Sequence, residues 1–251
     1  MGPAEAATIL LAGVGAGTIN AVVGSGTLIT FPTLLAFGFT PVTANVSNTI
    51  GLVPGSLAGS WGYRRELAGQ RGRALRLGVG SLLGGALGGV LLLVLPDGAF
   101  AAIVPVLIAL GVLLVITGPR ISRWVSARHG EGVVAEHWWV WPAVFATGVY
   151  GGYFGAAQGV LLMAILGIGI VEALQRLNAV KNVLAAIANA VAGLIFATVA
   201  DVDWRIVGLV AAGSVIGGLL GSSVGRRLPA TVLRGFIVVV GVVAFAALVF
   251  G

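Results

Sequence analysis

The chain interrupts its first long apolar stretch with Val23-Gly24-Ser25-Gly26-Thr27 and follows it with Asn45-Val46-Ser47-Asn48-Thr49, a cluster of small polar residues. A related pair of stretches recurs in the second half, at Ala157-Gln158-Gly159 and Asn178-Ala179-Val180-Lys181-Asn182. Short apolar segments interrupted by glycine at corresponding places in two halves of a membrane protein mark a binding site between the halves. We therefore expect the two interruptions to meet near the middle of a membrane.

The composition excludes a water-facing surface over most of the chain. Hydrophobic residues make up 58% of the sequence and charged residues only 9%, whereas soluble domains have about 25% charged residues. Uncharged runs such as Val79–Leu95, Ala99–Thr117 and Ile206–Val224 are about as long as a helix that crosses a hydrocarbon core of roughly 30 Å. The sequence predicts an all-α, polytopic membrane bundle of about 8–10 segments, and the continuous apolar runs exclude a β-barrel.

The second half of the chain repeats the first. A shift of 133 residues superposes the halves without a gap, pairing Gly15 with Gly148, Gly26 with Gly159, Asn45 with Asn178, and Leu95-Pro96 with Leu228-Pro229. We interpret residues 1–118 and 138–251 as two five-segment membrane repeats. A basic linker at 119–137 joins them.

The distribution of arginine predicts how the repeats are oriented. Arginines are concentrated in three connecting segments: 63–76, 119–137 and 226–234. The positive-inside rule places these segments in the cytoplasm and the turns at 95–99 and 200–205 outside. Each repeat then crosses the membrane an odd number of times, so the repeats are inverted. Because the loops account for the net charge of +6, we expect no nucleic-acid partner.

Two segments are too short for an ordinary crossing. Residues 27–39 and 160–170 span only about 17–20 Å at 1.5 Å per residue. They are either discontinuous membrane helices or re-entrant hairpins, and a hairpin would change the number of crossings. The charge pattern favours discontinuous crossings.

Polar residues beside these short segments form the candidate binding site. Lys181 is the only lysine in the chain, and it shares a helix face with Asn178 and Asn182. The helix starts after Gly26 and Gly159 present free N–H groups, which attract anions. We therefore predict a site for a small anion, with no catalytic residue, formed by Gly24, Ser25, Gly26, Asn45, Asn48, Thr49, Gln158, Gly159, Asn178, Lys181 and Asn182.

The same side chains also admit structural roles. The asparagines could bond across helices as packing contacts, which is the favoured interpretation for Asn189, and Lys181 could extend to the membrane interface. His129 and His137 lie near acidic residues, but a solvated loop explains them better than a metal site. The chain has no cysteine and no nucleotide-binding motif, so we predict no enzymatic activity, no cofactor and no metal.

Several of these stretches resemble the sulfite exporter TauE/SafE family. The first-half motif runs through Gly24-Ser25-Gly26-Thr27-Leu28-Ile29-Thr30-Phe31-Pro32, Gly38-Phe39-Thr40-Pro41 and Ala44-Asn45-Val46-Ser47-Asn48-Thr49. The stretches Gly151-Gly152-Tyr153-Phe154-Gly155 and Leu177-Asn178-Ala179-Val180-Lys181-Asn182 are similar to the family's second motif. The resemblance implies export or uptake of sulfite or organosulfonates. From the inverted halves we expect a secondary transporter in the cell membrane that works by alternating access around a midplane site. A passive anion channel and a non-transporting membrane scaffold are the alternatives.

Overall fold

The computed structural model describes residues 1–128, 136–223 and 230–250, and within them the chain forms ten helices and no strand. The predicted all-α class is confirmed. The helices are α1 (Pro3–Val22), α2 (Thr27–Ala36), α3 (Pro41–Gly62), α4 (Arg71–Val94), α5 (Asp97–Arg128), α6 (Val140–Tyr153), α7 (Gln158–Gly169), α8 (Leu174–Val199), α9 (Trp204–Ser223) and α10 (Ala230–Phe250).

Among the described residues, five stretches are long and apolar enough to cross a membrane: Pro3–Val22, Arg71–Val94, Gly98–Gly118, Leu174–Val199 and Trp204–Ser223. Helices α2 and α7 have only 10 and 12 residues, as expected for the two short segments. The protein is therefore a multi-pass membrane bundle.

Helix α4 shows how this glycine-rich sequence packs. Leu83 and Leu87 are exposed on one side of the helix, as suits a surface that faces lipid. On the other side, a Cβ added at Gly84 or Gly88 would overlap the backbone of α6 at Phe145 or Val149. Small residues at this spacing let two helix backbones approach closely, which is how helices associate in lipid.

Helix α5 is longer than predicted. It continues through Pro119 to Arg128, whereas the sequence places a linker from residue 119. A proline inside a helix removes one backbone hydrogen bond and kinks the helix, but it need not end it. The ten residues that follow residue 118 are therefore part of a helix rather than an irregular linker.

The packing of the helices follows the repeat. Helix α1 packs on α9 as α6 packs on α4, and α2 packs on α10 as α7 packs on α5. Helices of the two repeats are therefore interleaved in one bundle.

Glycine contacts correct the alignment of the first helices. A Cβ at Gly17 would overlap Ser214, and a Cβ at Gly148 would press on Ser81. Gly17 rather than Gly15 is thus the counterpart of Gly148, and the gapless shift is wrong for α1 and α6. Since Gly148 follows Gly17 by 131 residues and Ser214 follows Ser81 by 133, the second repeat has two additional residues between these points.

The contacts also fix the relative directions of α3 and α8. Gly193, late in α8, packs against Ile50, early in α3. At the other end, Tyr63 follows α3 and shares a buried apolar cluster with Ala179, early in α8. These two helices, which correspond in the repeat, therefore run in opposite directions.

Ion pairs connect segments on one face of the bundle. Arg76 and Arg73 pair with Glu136 at N–O distances of 2.5 and 3.4 Å, and Arg73 also pairs with Glu172 at 3.4 Å. The basic segment 63–76 and the end of the linker at residue 136 thus lie on the same face. Their cytoplasmic location, like that of 226–234, stays a prediction, and residues 129–135 and 224–229 lie outside the described residues. No group of three metal-binding side chains occurs among the described residues, and His129 is not among them.

Candidate functional site

The two interruptions meet inside the bundle. Gly24 adopts a φ of +87°, a conformation that glycine tolerates without strain. Its carbonyl accepts a hydrogen bond from the N–H of Gly159 at 3.0 Å. A Cβ on either glycine would overlap the Cα of the other. Both positions therefore require glycine.

The second interruption contains a residue in an unusual conformation. Ala157 has a φ of 60°, which non-glycine residues adopt only at a cost. Next to it, Gln158 is buried, and its side chain lies against Gly151, where a Cβ would overlap the amide group. Within the described part of the chain, the Nε2 atom of Gln158 is buried without a hydrogen-bond partner.

The first interruption is held by a side chain of α1. The Oδ1 atom of Asn20 accepts a hydrogen bond from the N–H of Gly26 at 2.7 Å. This bond satisfies one of the free donors at the start of α2, as a helix-capping residue does. The N-terminus of α2 is thus partly occupied by the protein itself.

The predicted polar face of α8 converges on the C-terminal end of α1. Lys181 is completely buried, and its Nζ donates to the carbonyls of Asn20 and Ala21 at 3.0 and 3.5 Å. Asn178 and Asn182 each donate from Nδ2 to the Ala21 carbonyl at 3.2 Å. A cation at this position complements the negative end of the α1 dipole. The alternative in which Lys181 reaches the membrane interface is wrong.

A small cavity lies between these elements, with a volume of about 20 Å³, enough for about one water molecule. Five of the predicted residues line it: Gly24, Gln158, Gly159, Lys181 and Asn182. Among the described residues of the lining, Lys181 is the one charged side chain, and none is a carboxylate.

The other predicted residues lie outside the lining, and most of them make bonds between elements. Asn45 donates to the Tyr153 carbonyl at 2.9 Å, and Asn48 accepts from the Thr30 hydroxyl at 2.5 Å. Both contacts fit the packing role that the sequence left open. The structure therefore does not bring these residues to the cavity: Ser25, Gly26, Asn45, Asn48, Thr49 and Asn178.

Four polar residues outside the predicted set line the cavity: Asn20, Thr27, Ser56 and Asn189. The sequence favours packing for Asn189, yet this residue follows Lys181 by eight positions, a spacing that belongs to the same helix face. Asn20 is the last amide residue before the first interruption. No spacing pattern connects Asn20 to Lys181, because its contact with Lys181 is made by a backbone carbonyl.

Comparisons with known proteins agree with this architecture. The chain is 25% identical over 249 residues to a probable membrane transporter protein of Haemophilus influenzae, covering 97% of this chain and 94% of the relative. It is 24% identical over 240 residues to probable membrane transporter protein YfcA of Escherichia coli K12, covering 94% and 86%. A Sinorhizobium protein named probable membrane transporter protein ORF9 is 25% identical over 237 residues, covering 90% and 85%. No solved structure matches the chain significantly. A model of the family described as sulfite exporter TauE/SafE matches residues 9–248, so the chain belongs to the sulfite exporter TauE/SafE family of membrane transporters.

Proposed function

We propose that the protein is a secondary transporter of a small anion, which binds in the cavity beside Lys181. The observation that carries this proposal is the charge of the lining, where Lys181 is fully buried and the residues that the structure describes include no carboxylate. An isolated charge at membrane depth is costly, and such residues face a substrate path or a partner. A bound anion supplies the missing counter-charge.

The contacts of Lys181 leave room for a ligand. Its ammonium group has three N–H donors, and the carbonyls of Asn20 and Ala21 accept two of them. The Ala21 carbonyl also receives bonds from Asn178 and Asn182. Turning Lys181 toward an anion therefore leaves that carbonyl paired.

Family membership supports a sulfur oxyanion or organosulfonate as the substrate. Because the cavity has a volume of only about 20 Å³, any such anion requires the surrounding side chains or helices to move. Sulfite, as a small member of the class, requires the least movement and is the substrate to test first.

The arrangement of the helices supports alternating access. The antiparallel course of α3 and α8 is what inverted repeats require, and the cavity lies between residues of both repeats, such as Gly24 and Lys181. Rocking one set of helices against the other would open the cavity first to one side of the membrane and then to the other.

Uptake of radiolabelled sulfite into proteoliposomes tests the proposal. We expect saturable uptake and counterflow by the wild-type protein, because a carrier binds its substrate at a site that opens to one side of the membrane at a time. A channel gives neither. Lys181→Gln keeps a donor for the α1 carbonyls but removes the charge, so it should fold and lose uptake. Uptake by this variant at the wild-type rate would refute the role of Lys181.

A further inference from the structure

Asn20 presents a free donor next to Lys181. The N–H of Gly26 can only donate, so the amide atom that accepts from it at 2.7 Å is the oxygen, Oδ1. This bond therefore determines which atom of the Asn20 amide is the oxygen and which is the nitrogen. The Nδ2 group is therefore the remaining part of the amide, on a residue that lines the cavity, and it makes no hydrogen bond to the described part of the chain.

Asn20 also contacts Lys181, with which it lines the cavity. The backbone carbonyl of the same residue holds the Nζ of Lys181 at 3.0 Å. Asn20 and Lys181 thus come from opposite repeats and meet in the lining of one cavity.

From this geometry we infer that Asn20 binds the transported anion directly, and that the site selects an oxyanion with at least two oxygens on one centre. The inference rests on the proposed function. One oxygen accepts from the Lys181 ammonium and another from the Asn20 amide, which gives two charge-assisted hydrogen bonds of fixed direction. A halide offers a single atom, so it can accept from both donors only where the two point at the same place.

Asn20 also connects the ligand to the first interruption. Its Oδ1 fixes the start of α2 at Gly26, and the residue lines the cavity. An anion held by Nδ2 therefore contacts a residue that caps α2, so that binding fastens the end of α1 to the start of α2.

The test compares two isosteric substitutions on the cavity wall. Asn20→Asp keeps an oxygen for the Gly26 N–H but replaces the donor with a negative charge. Asn189→Asp adds the same charge elsewhere on the wall, so it controls for loss of the cavity's net positive charge. Calorimetric titration of each purified protein with sodium sulfite should show binding about 100-fold weaker for Asn20→Asp and no more than about 10-fold weaker for Asn189→Asp, because only the first change removes a direct bond.

The outcomes separate this inference from the proposed function. Wild-type affinity in Asn20→Asp, or equal weakening in the two variants, would overturn the role of Asn20 while leaving the proposed function standing. Displacement of sulfite by an equal concentration of chloride would overturn the selection of oxyanions. If the wild-type protein bound neither sulfite nor any other oxyanion, the proposed function itself would be refuted. Thermal unfolding of Asn20→Asp near the wild-type temperature shows that the cap on α2 survives.

Discussion

Two asparagines, one in each repeat, fasten the bundle in the same way. Asn45, early in α3, donates to the Tyr153 carbonyl at the end of α6. Asn178, early in α8, donates to the Ala21 carbonyl at the end of α1. Each repeat therefore caps the first helix of the other. Asn45 and Asn178 correspond in the 133-residue shift, so both repeats use the same position for this hydrogen bond.

Three residues further along each helix, the repeats differ. Asn48 stays within its own repeat and accepts from the Thr30 hydroxyl. Its counterpart Lys181 crosses to the other repeat and places at the end of α1 the one charge found among the described lining residues. Asn45 and Asn178, the symmetric pair, hold the helices together. Asn48 and Lys181, the asymmetric pair, differ because Lys181 gives one side of the bundle a charge that a ligand can use.

The largest effect is expected where the two interruptions touch. Gly159→Val places side-chain atoms on the Gly24 backbone, so the two backbones must move apart. We expect a destabilisation above about 3 kcal/mol, seen as loss of monodisperse protein on size-exclusion chromatography in detergent. Gly208→Val is the control, since a Cβ there meets nothing within 4 Å. Wild-type yield and unfolding temperature for Gly159→Val would contradict the contact.

The next effect separates charge from packing at the asymmetric pair. Lys181→Gln should weaken sulfite binding more than about 100-fold, because a buried ion pair with the ligand is lost. Asn48→Ala should leave sulfite affinity within about threefold of the wild-type value, because Asn48 lies outside the cavity, and it should lower stability by about 1–2 kcal/mol. Calorimetry and thermal unfolding measure the two quantities. A similar loss of affinity in both variants would mean that the repeats share the binding role.

A smaller difference is expected within the symmetric pair. Asn45→Ala leaves the Tyr153 carbonyl without this donor and should cost about 1–2 kcal/mol. Asn178→Ala should cost less, since the Ala21 carbonyl keeps bonds from Lys181 and Asn182. Thermal unfolding of both variants gives the comparison. A larger loss for Asn178→Ala would show that Lys181 does not support the end of α1.

The sequence predicts the helices well because long apolar runs and glycine interruptions determine them directly. It predicts the shared face of Asn178, Lys181 and Asn182 for the same reason, since helical spacing alone sets a face. The partner of that face is the carbonyl end of α1, a backbone group that leaves no signal in the pattern of side chains.

Depth along a helix is also hard to predict from spacing. Asn45 and Asn48 were expected at the site, but α3 reaches the cavity at Gly55, Ser56 and Gly59. Gly55 lies ten residues after Asn45, which is about 15 Å along the helix. Glycine and serine at these positions also look like ordinary packing residues, so their place at the cavity depends on tertiary structure.

The smallest effect concerns a further difference between the repeats, at the start of α8. Glu172 lies in an ion-paired cluster there, whereas its counterpart in the 133-residue shift is Phe39. Burial alone raises the pKa of Glu172, but hydrogen bonds from the Ala173 N–H and Gln70, together with the charge of Arg176, lower it below the ordinary value of 4.5. Because its pKa is lowered in the folded state, the Glu172 carboxylate stabilises the fold fully above its unfolded pKa. This stabilisation is lost as the pH falls through the folded pKa.

Glu172→Gln therefore tests whether this cluster adds stability to the second repeat. At neutral pH the variant should unfold at a slightly lower temperature than the wild-type protein, because the pairs with Arg73 and Arg176 are partly exposed and solvent screens them. Below pH 4.5 the difference should shrink, since the wild-type carboxylate takes up a proton there. Thermal unfolding of both proteins from neutral to acidic pH measures it. A difference that stays constant across this range would show that Glu172 acts by shape and hydrogen bonding alone, without a contribution from its charge.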